Sequence, residues 1–292
     1  MSPLTAPKGR RAGLRQQIAS EFTKMRSVRS TWVVLGTMIV ISLGFAVLFP
    51  AIIANGWHDR SAAERVNFDP VSVTQFGIIF GQLVIAVFAV LFITPEFSSG
   101  SIRGTLAALP RRRNVLAAKA IVLGGATLVV TEILSFASFF LGRAILLAFG
   151  GQAVTGQLTL AEQIKATHAP VYAITTSGVA QAIFGGGLYL TLIALFALGM
   201  GFILRSTPGS IALFVALLLI IPGVLQALPR SISNAIQPKM PSNLGAAMTS
   251  VHQRTTDFGG QLLAPWPAAA LMAAYCVVLL GLGLWLFSRR DA

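Results

Sequence analysis

Hydrophobic residues make up 55% of this 292-residue chain and charged residues only 11%, less than half of the roughly 25% charged share of a soluble domain. With a mean hydropathy of +0.77 the chain belongs in lipid, and its longest polar intervals, 150–180 and 229–266, are too short to bury the core of a separate soluble catalytic domain. The net charge of +13 flanks apolar stretches and faces anionic lipid, so it calls for no nucleic-acid partner.

Residues 1–30 form a basic tail in which Leu14, Ile18, Phe22 and Met25 recur at spacings of four, four and three. That period predicts an amphipathic helix lying on the inner leaflet. The alternative is a basic anchor that only sets topology. Six apolar stretches follow within 31–287, at 31–54, 74–94, 116–149, 181–204, 210–228 and 267–287, against the roughly 20 residues needed to cross a bilayer. The first is too long for the apolar region of a signal peptide and is read as a retained span. The expected fold is therefore an all-α membrane protein, a single transmembrane domain over 1–292 with six transmembrane helices and an N-terminal amphipathic interfacial helix.

Between spans two and three lies a charged hairpin, 95–114. Pro95 and Glu96 are expected to stop the second span, Gly100 and Gly104 to permit bends, Thr105 to Leu109 to form a short helix, and Pro110 to end it before Arg111, Arg112 and Arg113. Such a presented helix suits docking on another protein. An ordinary basic loop would need the arginines but neither the glutamate nor the glycine spacing.

Within the spans, Gly77-x-x-x-Gly81, Gly185-Gly186-Gly187 and Gly199-x-Gly201 offer flat surfaces for close helix approach. Glu132 is the one acid well inside a span, and with Gln82 it is the candidate for a translocation pathway. Its alternatives are contact with a substrate or cation and a structural role hydrogen-bonded to Ser or Thr neighbours. Arg143 lies about 16 Å farther along the same helix, too far to pair with Glu132, and is expected to snorkel outward. The interval 229–266 carries Pro229, Pro238, Pro241 and Pro265, with a short helix expected from Ser242 as N-cap.

Fifteen of the 22 basic residues fall on one side of the spans, which puts both termini and the 95–114 loop in the cytosol by the positive-inside rule. Catalytic motifs are missing: there is no phosphate loop and no H-E-x-x-H, and Thr176-Ser177-Gly178 lacks the frame of a serine hydrolase. His58, His168 and His252 look too scattered for a metal site, and the single Cys276 allows neither an internal disulfide nor a cysteine metal site. Neither an enzyme nor a metal protein is expected.

The order of Glu96, Phe97, Gly100, Arg103, Thr105 and Leu106, then Pro110-Arg111-Arg112 and Ala118-Lys119, resembles the cytosolic loop of ABC-2 type permease subunits. The stretch Ser20 to Thr31 is similar to the first helix of that family, especially its actinobacterial members, and Pro241 to Gly245, Ala264-Pro265-Trp266 and the closing Arg289 to Ala292 also resemble it. The likeness implies an ABC-2, type V exporter-like fold and an ATP-driven transporter whose membrane pathway is this chain. It implies as partners an ATP-binding subunit, which holds ATP and Mg while this chain holds no cofactor, and a second permease copy in a homodimer or heterodimer. The family resemblance further implies export of drug-like, antibiotic or lipid-like molecules across a bacterial cytoplasmic membrane. It makes 95–113 the coupling loop, with Leu106 and Leu109 as apolar contacts and Glu96 or Arg103 pinning the loop to the first helix; Phe97, Gly100, Thr105, Pro110 and Arg111 complete it. It also implies that 229–266 is an outer segment dipping back into the membrane, where a disordered loop is the alternative. The rival function is a proton-coupled secondary transporter working without ATP, for which several embedded acids or inverted repeats would speak.

Overall fold

The computed structural model describes residues 13–101, 112–154, 156–251 and 261–289. Helix α1 (Leu14–Ser27) leads into α2 (Arg29–Asn55), and short helices α3 (Ala62–Val66) and α4 (Pro70–Thr74) cap the far end before α5 (Ile78–Leu91) and α6 (Thr94–Ser98) return. Helix α7 (Arg112–Ala148) is followed by β1 (Gln152–Val154), α8 (Leu160–Lys165) and β2 (Pro170–Tyr172). Helix α9 (Val179–Leu204) then crosses back, α10 (Thr207–Val215) and α11 (Ile221–Gln226) return through a π-turn at Ala216–Ile220, and α12 (Arg230–Ile236), a 3₁₀ turn (Gln237–Lys239) and α13 (Pro241–Thr249) precede α14 (Pro265–Arg289).

Among the described residues six helices are long and apolar enough to cross a membrane: Arg29–Asn55, Ile78–Ser98, Arg113–Ala148, Val179–Leu204, Thr207–Gln226 and Pro265–Arg289. Their bounds lie within a few residues of the apolar stretches, apart from the second. That span begins at Ile78 instead of 74, because Asp69 caps a separate helix through Pro70–Thr74. Its end also differs from expectation. The helix pauses after Leu91 and restarts at Thr94, and Pro95 does not stop it: proline sits in the first turn of α6, where its missing N–H costs nothing. The short parallel ribbon, with Gln152 opposite Pro170 and Val154 opposite Tyr172, is the departure from an all-helical chain; buried Val171 and Tyr172 hold it against the bundle.

Helix α9 is the centre of the bundle, packed against α5, α7 and α14. Glycines make this closeness: a side chain at Gly186 would meet Ile78 and Ser135, one at Gly199 would meet Leu279, and one at Gly201 would meet Ile93. Gly77 likewise rests on the Ser42 backbone of α2. In span five Pro222 cannot donate a helical hydrogen bond, and the wider π-turn before it absorbs the mismatch, with Ile221 N–H reaching the Ala216 carbonyl.

The segment after span five folds back along the bundle. The Gly185 backbone abuts the Met248 carbonyl and Gly245 abuts the Tyr189 ring, so α13 runs antiparallel to α9. Tyr275 donates to the Lys239 carbonyl at 3.2 Å. Tyr189 and Tyr275 each lie ten residues from the near ends of their helices, which sets the turn before α13 about 15 Å down the bundle. Helix α13 starts at Pro241 with Met240 as N-cap, so Ser242 does not cap it: proline at the first helical position fixes the start two residues earlier.

Candidate functional site

At the end of the bundle that carries α1, four charges meet. The Lys119 ammonium of α7, 1% exposed, donates to Glu21 Oε2 of α1 at 2.7 Å and to Glu96 Oε1 of α6 at 2.9 Å. Lys24 closes the ring, 3.0 Å from Glu21 Oε1 and 3.5 Å from Glu96 Oε1. A lysine this far from water requires opposite charge at hydrogen-bond distance, since the attraction must offset several kcal/mol of lost hydration. The Phe92 ring adds a face 4.8 Å from the Lys119 ammonium. Burial pushes the Glu21 carboxyl up, but the charge and hydrogen bonds of Lys119 and Lys24 outweigh it and hold the group below its ordinary 4.5. Lys24 is raised above its ordinary value: burial opposes its charge, and Glu21 and Glu96 overcome that.

This cluster revises the reading of α1. Its buried residues are Gln17, Glu21 and Met25, whereas Leu14 and Phe22 of the apolar stripe are exposed. The helix therefore turns an acid inward onto α7 and leaves much of its apolar stripe for lipid. A period count assigns the polar face to water; here the buried lysine claims it.

Of the loop residues singled out by sequence, Glu96, Phe97 and Gly100 are described, while Arg103, Thr105, Leu106, Leu109, Pro110 and Arg111 lie outside the described residues. Gly100 has φ +70°, the left-handed conformation that favours glycine. Phe97 turns inward into an edge-to-face group with Phe202 and Phe287, each at 6.0 Å, and Arg205 stacks 5.0 Å over it. It anchors the base of the loop to spans four and six. A cavity of about 570 Å³ opens beside the charge cluster, walled by Met25 and Val34 on one side and Phe88 and Leu91 on the other, so the cluster has room to rearrange.

A second cavity, about 610 Å³, lies toward the opposite end between spans one, two and five and α13. Phe49, Phe76, Leu218 and Leu219 supply its apolar walls, with Phe49 stacked on Phe76 at 3.6 Å. Gln82 reaches its floor, accepting a hydrogen bond from the Tyr189 hydroxyl at 2.5 Å. Gln75 is held there by Ser135, whose carbonyl accepts from its Nε2 at 2.9 Å. Asn243 on α13 lines the facing side, its Nδ2 donating to the Gln237 carbonyl at 2.7 Å.

Glu132 is placed elsewhere, packed against Gly187 of α9. Both its carboxylate oxygens are buried and have no hydrogen-bond partner among the described residues. The Ser and Thr neighbours do not serve it: Thr131 donates to the Gly187 carbonyl and Ser135 to the Ile183 carbonyl. Arg143 does not simply snorkel; it donates to the Tyr172 carbonyl at 3.2 Å and so ties β2 to span three. His58 and His168, far apart in sequence, face each other with ring centroids 6.0 Å apart, and no group of three metal-ligating side chains forms among the described residues.

Sequence reasoning missed Lys119 as the hub, Glu21 as its partner on α1 and Lys24 as the second cation of the cluster. The available signal was a lysine three residues into the third apolar stretch, where a charge needs an acid. Arg60 and Tyr189 on the second cavity carried no signal, because the spans that bring them together are more than a hundred residues apart. No protein-family profile matches the chain, and no curated protein is detectably similar to it in sequence.

Proposed function

We propose that this chain is the membrane-spanning permease subunit of an ATP-driven ABC-2 type transporter in a bacterial cytoplasmic membrane, exporting drug-like, antibiotic or lipid-like molecules. In this reading the α1 end and both termini are cytosolic, a separate subunit binds and hydrolyses ATP with Mg, and a second permease copy completes the pathway. The observation that carries the reading is the charge cluster at the base of the 95–114 loop. One buried ammonium joins α6, α7 and α1, so a push on the loop moves the ends of spans two and three and the amphipathic helix as one body. Phe97 extends that body to spans four and six. The cavity around Gln82, opening toward the other end, is then the pathway whose walls such a movement would shift.

The test is purification of the tagged chain from its native membrane, followed by mass spectrometry and an ATPase assay. An ATP-binding subunit is expected to co-purify, and the double variant Glu96→Arg, Arg103→Glu should lose the coupling of ATPase activity to transport. A stable complex with no ATPase would overturn the proposal. Glu132 favours a second reading, proton-coupled transport, because an acid inside a span with two unpartnered oxygens is suited to holding a proton. Uptake or efflux driven by an imposed pH gradient without ATP, and abolished in Glu132→Gln, would establish that reading instead.

A further inference from the structure

We infer that the cavity around Gln82 takes amphiphiles whose polar end is an anion, a carboxylate, sulfonate or phosphate, and discriminates against amphiphilic cations; the inference rests on the reading of that cavity as the pathway. Its described lining includes amides, hydroxyls, a phenol and aliphatic and aromatic walls, and a single charged group, Arg60. No carboxylate lines it among the described residues, so a cationic ligand would leave its charge uncompensated in a low-dielectric site.

Arg60 is poised for an anion. Among the described residues its Nε is buried and donates to no acceptor, and the ion pairs found there all lie at the other end of the molecule. The residue also lines an adjoining hollow that contains Glu64 and Asp69, the two acids that could have claimed it. Neither forms an ion pair with it among the described residues. Glu64 Oε2 accepts from the Ser61 N–H and hydroxyl, each at 2.8 Å; it feels the charge of Arg60 but makes no bond to it. Asp69 Oδ1 accepts from the Val71 N–H and Oδ2 from the Val251 N–H, each at 2.9 Å.

The division of the cavity fits one shape of ligand. Arg60 lies five residues beyond the Asn55 end of span one, while Gln82 and Tyr189 are buried, Tyr189 about 15 Å down α9 by helical rise. Between them Phe49, Phe76 and Leu218 bound an apolar stretch. An anionic head at the guanidinium and an apolar body along the aromatic wall would fill it, with a volume of about 610 Å³ in the range of drug-sized ligands.

The experiment uses the full chain alone in phosphatidylcholine nanodiscs, with no ATPase subunit, and two matched probes: dansylated undecanoic acid and the corresponding dansylated undecylammonium. Binding is read as fluorescence above that of empty discs. The carboxylate should bind about tenfold more tightly than the ammonium, the equivalent of one charge-assisted hydrogen bond. Arg60→Gln should bring the two together and Arg60→Lys should keep the preference. Ile79→Trp, which fills the cavity without changing its charge, should remove the binding of the carboxylate probe. Equal or tighter binding of the ammonium, a preference unaffected by Arg60→Gln, or carboxylate binding unaffected by Ile79→Trp would each overturn the inference. Exchanging phosphatidylcholine for phosphatidylglycerol separates the sources of the anion: competition assigns the site to a lipid headgroup, and its absence to a free amphiphile, the anion preference standing in both. Because no ATPase is present, failure here leaves the transporter reading intact, and failure to recover an ATPase partner leaves the probe preference intact.

Discussion

The two ends of the bundle are fastened by different chemistry. At the α1 end, α1, α6 and α7 are joined through a charge cluster, with Lys119 shared between Glu21 and Glu96, set beside the Phe97 aromatic group. At the opposite end the fastening is by side chains bonded to backbone: Trp57 Nε1 donates to the Ala166 carbonyl at 3.1 Å, Gln163 Nε2 to the Phe68 carbonyl at 2.6 Å, and Asp69 receives the Val251 N–H. A charge cluster is strong while complete and collapses when one member is lost, since the remaining charges are left buried. Individual bonds to backbone fail singly and each costs less. The α1 end is therefore expected to come apart as a unit.

The largest effect expected from this contrast is at Lys119. Lys119→Met leaves Glu21 and Glu96 with only the half-exposed Lys24, and should destabilise the docking of α1 by about 3–5 kcal/mol. Proteolysis after Lys24 or Arg26 should then accelerate at temperatures where the spans remain intact. Replacing Glu21, Glu96 and Lys119 together by apolar residues should restore much of the loss; if the triple variant is no better than the single one, the charges are not acting as a cluster. The same cluster sets a pH window. Glu21 has its carboxyl lowered in the folded state, so its stabilisation is present above the ordinary value near 4.5 and is lost as pH falls through the lowered one. Lys24 is raised, so its contribution holds below 10.5 and fades as pH rises through the folded value. Release of α1 in acid, measured by the same proteolysis, should precede loss of helicity.

At the opposite end the expected effects are smaller. Asp69 is 1% exposed and receives three backbone N–H groups, from Val71, Ser72 and Val251. Asp69→Ala strands them and should cost about 2 kcal/mol, read as a lower unfolding temperature in detergent with α1 still docked. Proteolytic release of α1 in this variant would show that the two ends are not independently fastened.

The contrast also marks what could be read from the chain. Long apolar runs such as 181–204 announce themselves, because hydrocarbon admits few alternatives to a helix, and the glycines of α9 marked where helices approach. For helix α1 the exposed Leu14 and Phe22 fit the interfacial stripe that the period predicts, and what the period does not show is that Glu21 of its polar face is buried. What the interior demanded was a partner for Lys119, a requirement of the fold and not of the local period. Pro95 was misjudged because a proline that ends one helix is equally suited to open the next. The second cavity depends on Arg60, Gln82, Tyr189 and Asn243 converging from four separate elements, and no local pattern records such a meeting.

The smallest predicted effects test whether the far end is one cooperative cap. Ser61 and Thr159 each open a short helix with a capping box, the hydroxyls accepting from the Glu64 and Glu162 N–H groups. Each alanine replacement should cost about 1 kcal/mol. The two helices are not independent, however. Arg65 at the end of α3 donates to the Ile164 and Ala166 carbonyls at the end of α8, and Trp57 reaches the same Ala166 carbonyl from span one. If these bonds make a single unit, fraying either helix already loosens the other, and the double variant should lose less than the sum of the singles by about 0.5 kcal/mol or more. Strict additivity would mean that α3 and α8 are capped and held separately, and that the far end resists release through the number of its bonds and not through their coupling.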